Sequence, residues 1–415
     1  MRCLWLTLAD PDPPTNGQFL YSRGLIQATA AAGARLDVLA LTRPGAARTD
    51  GAREDHIRWW IGAHRPRSRW ACLASLFPQM AARTRTAEMR RKLRALLAKA
   101  NWDAVIFDNL TTGWALRPVL ARWPEARHRP KLVYIAHNHE ESVAAKLVAT
   151  EASWPKRQIK RLDAAKVAWL ERALIRHADL LASNAPEDCA RFAACWPGKR
   201  VEFLAPGYSG PRVPARCIDT TLPRRAIIVG SFDWQLKRAN LEEFLGAADP
   251  LFAAAGIELL VVGNAEESFL ARLRRTTTAT RFTGRVDDVA GFLETARIAV
   301  VPERVGGGFK LKVLDYVFAR VPIVALAGSI PGVPLHDGDS VVLCADQAAL
   351  ARGVVRLIDD FVTLNRLQER AYLACRDTFD WESRGRNLLA AITGLAATPQ
   401  TEAIPVPGNG AAIAP

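Results

Sequence analysis

Short runs of Val, Ile, Leu and Ala recur along this chain, separated by longer stretches of helical period. That is the pattern of strands buried on both faces and covered by helices. Twelve runs fall into two groups. The first holds Cys3–Ala9, Arg35–Leu41, Ala104–Asp108, Lys131–Asn138, Leu180–Asn184 and Val201–Pro206, and the second Ala226–Gly230, Glu258–Gly263, Thr280–Gly284, Ile298–Pro302, Pro322–Leu326 and Ser340–Ala345. Between them lies Pro206–Pro223, with Pro206, Pro211, Pro214 and Pro223 and little periodicity. Two successive β/α series predict an α/β chain of two doubly wound domains, 1–205 and 224–380, joined by a linker at 206–223. Ligands then belong in the cleft between them, at the carboxyl ends of the strands. After the break at Phe379-Asp380-Trp381, one last amphipathic helix (381–396) is expected to pack back on the first domain. The Ala, Pro, Thr and Gly of 397–415 are expected to be disordered.

Composition narrows the class. With 415 residues, 49% hydrophobic and 24% charged, the chain can fill two cores, and fibrous or low-complexity readings are excluded. No apolar run approaches the ~20 residues that span a bilayer, and the first residues lack a signal-peptide core, so a cytoplasmic protein is expected. The seven cysteines are scattered without a Cys-x-x-Cys spacing, which argues against a disulfide framework or a zinc site. Charge is the uneven feature. Residues 1–225 carry 37 Lys and Arg against 20 Asp and Glu, a net +17, whereas 226–395 carry 19 against 21. An anionic partner for the first half follows.

The richest stretch is Val301–Tyr316. A strand ends at Pro302, Gly306-Gly307-Gly308 follow, and a helix begins near Phe309, so backbone N–H groups and the helix dipole face any anion placed at that turn. Lys312 and Asp315 share one helical face and offer a cation for phosphate and a carboxylate for ribose hydroxyls. The plain alternative is a strand-to-helix turn with a solvated helix face.

The pattern Pro302-x-Arg304-x-Gly306-Gly307-Gly308-x-x-x-Lys312-x-Leu314-Asp315, followed by Arg320-Val321-Pro322-Ile323-Val324-Ala325, resembles the donor-site signature of retaining glycosyltransferases of the two-Rossmann GT-B type. These belong to the large bacterial nucleotide-sugar-dependent group (group 1, family 4-like). Further pieces of the resemblance stand in order: Asn16-Gly17, Ala136–Glu140, Val229–Trp234, Lys237 with Asn240, and Phe282–Val286. The resemblance implies sugar transfer with retention and no cofactor or catalytic metal. Its partners would be a nucleotide-sugar donor and a saccharide or polyprenyl-diphosphate-linked acceptor of envelope or exopolysaccharide synthesis. His137, Lys237 and Lys312 would be the catalytic group. Arg304, Gly306, Gly307, Gly308, Lys312 and Asp315 would hold the donor, with Gly230, Gly284, Arg285 and Val286 around its nucleotide. Asn16, Gly17, His137, His139 and Glu140 would face the acceptor. The common pattern has two glutamates eight apart, whereas here Gly307 stands eight before Asp315. Either Glu303 substitutes from another angle or backbone groups of Gly306–Gly308 suffice. His139 and Glu140 have a plainer reading, since Asn138–Glu141 can cap the helix that follows.

From Gly51 to Ala100 there are 12 Lys and Arg against three Asp and Glu, interleaved with Trp59, Trp60, Trp70, Leu73, Leu76 and Phe77. Basic residues mixed with tryptophan suit an anionic membrane surface, reinforced by Lys156–Arg161, so a peripheral place on the inner face of the cytoplasmic membrane is expected. Two rivals stay open: a nucleotide-sugar epimerase of similar fold, and a non-catalytic protein binding a nucleotide-sugar or nucleic acid. Nucleic acid is not expected, because no recognised binding module is present.

Overall fold

A computed structural model describes residues 1–64, 68–125, 129–303 and 308–394. Arg304, Gly306, Gly307 and the tail at 397–415 lie outside the described residues.

Fourteen strands form two sheets among the described residues. The first sheet contains β1 (Arg2–Ala9), β2 (Arg35–Leu41), β3 (Arg53–Glu54), β4 (Ile57–Gly62), β5 (Ala104–Asp108), β6 (Lys131–Ala136), β7 (Leu180–Ser183) and β8 (Val201–Phe203). The second contains β9 (Arg225–Val229), β10 (Glu258–Val262), β11 (Thr280–Gly284), β12 (Ile298–Val301), β13 (Ile323–Leu326) and β14 (Val342–Cys344). Their orders are β3-β4-β2-β1-β5-β6-β7-β8 and β11-β10-β9-β12-β13-β14, parallel throughout except for the antiparallel edge pair β3–β4. The chain order reverses between β1 and β5 in one sheet and between β9 and β12 in the other. Those reversals open a crevice at the carboxyl ends of the strands, because the flanking helices leave there to opposite faces. Apolar side chains fill both faces of each sheet, which is why the strands read as continuous apolar runs.

Strand bounds are shorter than expected at several ends, and His137, Asn138 and Asn184 lie just beyond β6 and β7. The expectation of a membrane-boundary segment over Gly51–Ala100 fails at Ile57–Gly62. Here Ile57, Trp59 and Ile61 turn inward in alternation with Arg58 and Trp60, and Trp59 is buried in the sheet beneath Arg48. The Trp60 indole donates to Asp37 at 2.8 Å. Trp70 and Leu76, by contrast, remain 78% and 80% exposed.

The proline-rich stretch between the sheets has no strand or helix, yet it is tied to the second domain. Val213 N–H donates to the Phe318 carbonyl, Ile218 is fully buried, and Arg216 donates to the Ala296 carbonyl at 2.6 Å. The last helix, Trp381–Thr393, crosses back to the first domain. Leu388, Ala391 and Ile392 join the core under the first sheet, and a Cβ on Gly385 would lie 2.0 Å from the Ala28 carbonyl oxygen. Backbone-to-backbone contact of that kind requires glycine.

Candidate active site

Two helices start at the crevice of the second sheet. Gln235–Ala255 follows β9 and Leu311–Phe318 follows β12, and neither N-terminus has a side-chain cap among the described residues. Their first-turn N–H groups and positive dipole ends are therefore available to an anion. Around that point stand three lysines and one carboxylate. Glu303, directly after the β12 strand end, is almost wholly buried and ion-paired with the Lys312 ammonium, while its second oxygen, Oε2, has no partner in the described structure. Burial alone would raise the Glu303 carboxyl. Lys312 first, then Lys310 and Lys237, outweigh it and hold the group below the usual carboxylate range. Burial and the neighbouring Lys312 push the Lys237 ammonium down to about 8, and burial also lowers Lys310. Three cations against one carboxylate leave a local positive excess in a partly dehydrated crevice, where each charge acts at longer range than in water.

Asp315 lies one turn beyond Lys312 on the same helix. Burial pushes its carboxyl up to about 7, against a hydrogen bond from the Tyr208 hydroxyl. The neighbouring Tyr316 hydroxyl accepts from the Val229 N–H at 2.7 Å and so fixes the end of β9 just before Gly230. Next to it the strand ends are laced together: Gly230 N–H donates to the Val262 carbonyl and Gly263 N–H to the Gly284 carbonyl, each at 3.0 Å. A Cβ at Gly263 (φ +136°) would lie 1.7 Å from the Gly230 carbonyl oxygen. The space above Gly284 is open, Arg285 is exposed and Val286 packs partly on the core.

The first domain presents a different chemistry. His137 follows β6, and its Nε2 lies 2.6 Å from Asp108 Oδ1 at the end of β5. The other Asp108 oxygen accepts from the Trp5 indole at 3.1 Å. Burial opposes ionisation of Asp108, but His137 and hydrogen bonds from His137, Trp5 and Ser22 outweigh it and keep the carboxyl below its ordinary value. The Tyr21 ring meets His137 edge-on, with centroids 5.2 Å apart. His137 is thus oriented from two sides and cannot swing freely. Asn16 caps the helix Gly17–Ala31 by accepting from Phe19 N–H at 3.0 Å.

His139 serves a helix terminus and also lines the pocket shared with the second domain, while Glu140 is buried and accepts from the Asn138 amide. His139 Nδ1 accepts from Ser142 N–H and caps the helix Glu140–Ala149, and its ring packs on Phe192 at 4.7 Å. Burial and the nearby Arg191 lower its pKa, whereas burial raises that of Glu140. Behind them Glu171 accepts from Glu140 N–H and Glu141 N–H, and burial pushes it up to about 8. These groups form the wall behind His137.

The two halves meet at this point. A Cβ on Gly308 (φ +70°) would stand 2.7 Å from the His137 carbonyl oxygen, and one on Gly17 would touch the Leu311 side chain at 3.2 Å. Lys310 feels Glu187 and Asp188 of the first domain, and a shared pocket is lined from both sides by Ser142, Asp188, Arg191, Glu303, Gly308 and Lys310. His137 and Gly17 of the first domain and Gly308 and Lys312 of the second therefore border one cleft. Asp108, Lys310, Gly263 and Tyr208 belong to the same surroundings and were absent from the sequence expectations. Only the placement of Asp108 and Gly263 at strand ends hinted at them.

Residues 223–360 match the family model described as glycosyl transferases group 1. This part of the chain is a glycosyltransferase domain. No curated protein matches the sequence. Among solved structures, sucrose-phosphate synthase from Thermosynechococcus elongatus superposes with a TM-score of 0.70 at 19% identity, covering 95% of this chain and 98% of that one. WaaG, a glycosyltransferase involved in lipopolysaccharide biosynthesis, gives 0.64 at 17% identity, covering 94% and 100%. Anabaena HepE in complex with UDP and glucose gives 0.62 at 13%, covering 95% and 100%. The glycosyltransferase domain is thus the second half of a GT-B fold, two Rossmann-like domains facing a cleft. Among the described residues, no helix is long and apolar enough to cross a membrane.

Proposed function

We propose that this chain transfers a glycosyl group from a nucleotide-sugar, held in the β9/β12 crevice, to a saccharide acceptor on the first domain. The observation that carries this reading is the gathering of Lys237, Lys310 and Lys312 around Glu303 at two uncapped helix N-termini. Cleaving the bond between the sugar and the diphosphate leaves negative charge on the leaving phosphate. Cations already fixed at that place stabilise the transition state without a metal. Lys237 and Lys312 take this role. Asp315 accepts from ribose hydroxyls, and the Gly230–Gly284–Val286 rim takes the base. Glu303 stands in for the carboxylate missing at position 307: its unpartnered oxygen is available to a sugar hydroxyl. On the acceptor side His137, aligned by Asp108, hydrogen-bonds the reacting sugar, and Asn16-Gly17 leave room for it. Closing the cleft excludes water that would otherwise hydrolyse the donor.

The relatives favour sugar nucleotides and envelope chemistry: HepE is seen with UDP and glucose, and WaaG works in lipopolysaccharide synthesis. A lipid-linked acceptor at the inner face of the cytoplasmic membrane, with retention of the anomeric configuration, completes the proposal. It is tested by incubating the protein with UDP-, GDP- and ADP-sugars and saccharide acceptors in EDTA, following the anomeric protons by NMR. The expected result is acceptor-dependent product of retained configuration, undiminished by EDTA. An epimerised donor appearing without acceptor, or a strict metal requirement, contradicts it.

A further inference from the structure

A second basic site lies in the first domain, away from the lysine cluster. The loop after the short helix Arg69–Leu73, the helix Ala87–Lys99 and the segment following β5 enclose a pocket of about 480 Å³. Arg85, Arg90, Arg94 and Arg117 line it with Leu76 and Phe77, and no acidic residue does. None of the ion pairs among the described residues involves Arg90, Arg94 or Arg117. Lys92 on the same helix is paired with Asp50 and Glu88. The Arg90 Nε is buried without a hydrogen-bond partner among the described residues. Arg90 and Arg94 stand one helical turn apart, where like charges repel unless an anion lies between them.

Exposed apolar side chains stand on the elements beside the pocket. Leu76 and Trp70 are 80% and 78% exposed, and on the adjoining helix Trp154–His177, Leu162 and Trp169 are 67% and 51% exposed. Their exposure is built in. The Lys166 ammonium donates to the Leu73 and Ser75 carbonyls at 2.7 Å each, and Phe77 packs edge-on against Trp169, fixing the loop with Leu76 outward.

We infer that this pocket binds the phosphate of a membrane lipid, the arginines taking the phosphate or diphosphate head and Trp70, Leu76, Leu162 and Trp169 meeting the hydrocarbon boundary. Guanidinium forks match phosphate oxygens in pairs, and tryptophan beside basic residues is the composition of a bilayer interface. The pocket belongs to the same domain as the proposed acceptor side, since Trp114 and Arg117 lie on the segment that leaves β5 after Asp108. In this respect the inference deepens the acceptor side of the proposed transfer. The binding itself does not depend on transfer.

The test is sedimentation of the full chain with phosphatidylcholine vesicles, with and without about one-fifth phosphatidic acid, and with inorganic pyrophosphate or a single-stranded oligonucleotide as competitor. Wild type is expected to bind only the phosphatidic acid vesicles. Arg90→Gln/Arg94→Gln/Arg117→Gln should weaken that binding roughly a hundredfold, at about fivefold per charge lost near an anionic surface. Trp70→Ser/Leu76→Ser should weaken vesicle binding while pyrophosphate binding persists, which separates a lipid source from a soluble one. UDP titration of the same variants should be unchanged, so loss of nucleotide binding in wild type would strike the transferase reading and not this one. Equal vesicle binding by wild type and the triple arginine variant overturns the inference. Displacement from vesicles by the oligonucleotide at lower concentration than by pyrophosphate also overturns it, in favour of nucleic acid.

Discussion

Lys312→Ala is expected to lower the rate of sugar transfer by about 10² to 10³-fold, the loss typical of removing one preorganised group that stabilises developing charge. The substitution also strands Glu303, which is buried and owes its low pKa first to Lys312. Removing one partner of a buried pair destabilises by at most roughly 3 to 5 kcal/mol, less here because Lys310 and Lys237 remain, so part of the lost rate is unfolding. Lys312→Ala/Glu303→Gln removes both charges: the melting temperature should recover, and the rate should stay well below that of Glu303→Gln alone. Lys237 adds a pH signature. Its ammonium is held down to about 8 by burial and by Lys312, so kcat/KM, which reports the free enzyme, should fall as pH rises through that value. In Lys237→Arg the guanidinium stays charged and the alkaline fall should disappear. A rate for the double variant equal to that of Glu303→Gln, or an unaltered alkaline limb in Lys237→Arg, would remove these lysines from the reaction.

Gly263→Ala should be the most damaging single methyl group in the second domain. Its Cβ would stand 1.7 Å from the Gly230 carbonyl oxygen, and φ at Gly263 is +136°, so neither strand end can yield without breaking the backbone hydrogen bonds that join β9, β10 and β11. A loss of roughly 3 kcal/mol or more is expected, which lowers the melting temperature by about 6 to 12 °C in a domain of this size. Nucleotide affinity should fall with it, because Gly230 and Gly284 border the proposed base site. Gly284→Ala is the control. It has φ +72° but open space at Cβ, so only the backbone cost of about 1 to 2 kcal/mol applies. Equal melting temperatures for the two variants would mean that the strand ends are not locked together as described.

The sheets were legible in the sequence because parallel strands buried on both faces leave long apolar runs, and ten of the strands coincide closely with such runs. β4 was not legible. Its inward Ile57, Trp59 and Ile61 alternate with Arg58 and Trp60, and arginine with tryptophan resembles a membrane boundary until Trp59 is seen inside the core. Lys312 and Asp315 could be found by helical spacing within one element. Asp108 and Lys310 could not, because each acquires its partners from other strands or from the opposite domain. His139 combines two roles that the sequence offered as alternatives: it caps the helix that follows β6 and lines the shared pocket. Gly385 shows the same limit at the end of the chain. The helical pattern predicted a helix over 381–396, and Trp381–Thr393 forms it, but only contact with Ala28 explains why glycine stands there.

The central claim, a nucleotide-sugar site in the β9/β12 crevice, is most directly tested by calorimetric titration with UDP, GDP, ADP and CMP. Wild type and Asp315→Ala should be compared in EDTA and again with magnesium. The account predicts that one nucleotide binds wild type equally well with or without magnesium, and that the Asp315→Ala variant loses most of this affinity while melting normally. Absence of binding by all four nucleotides, or binding that ignores Asp315, would contradict it.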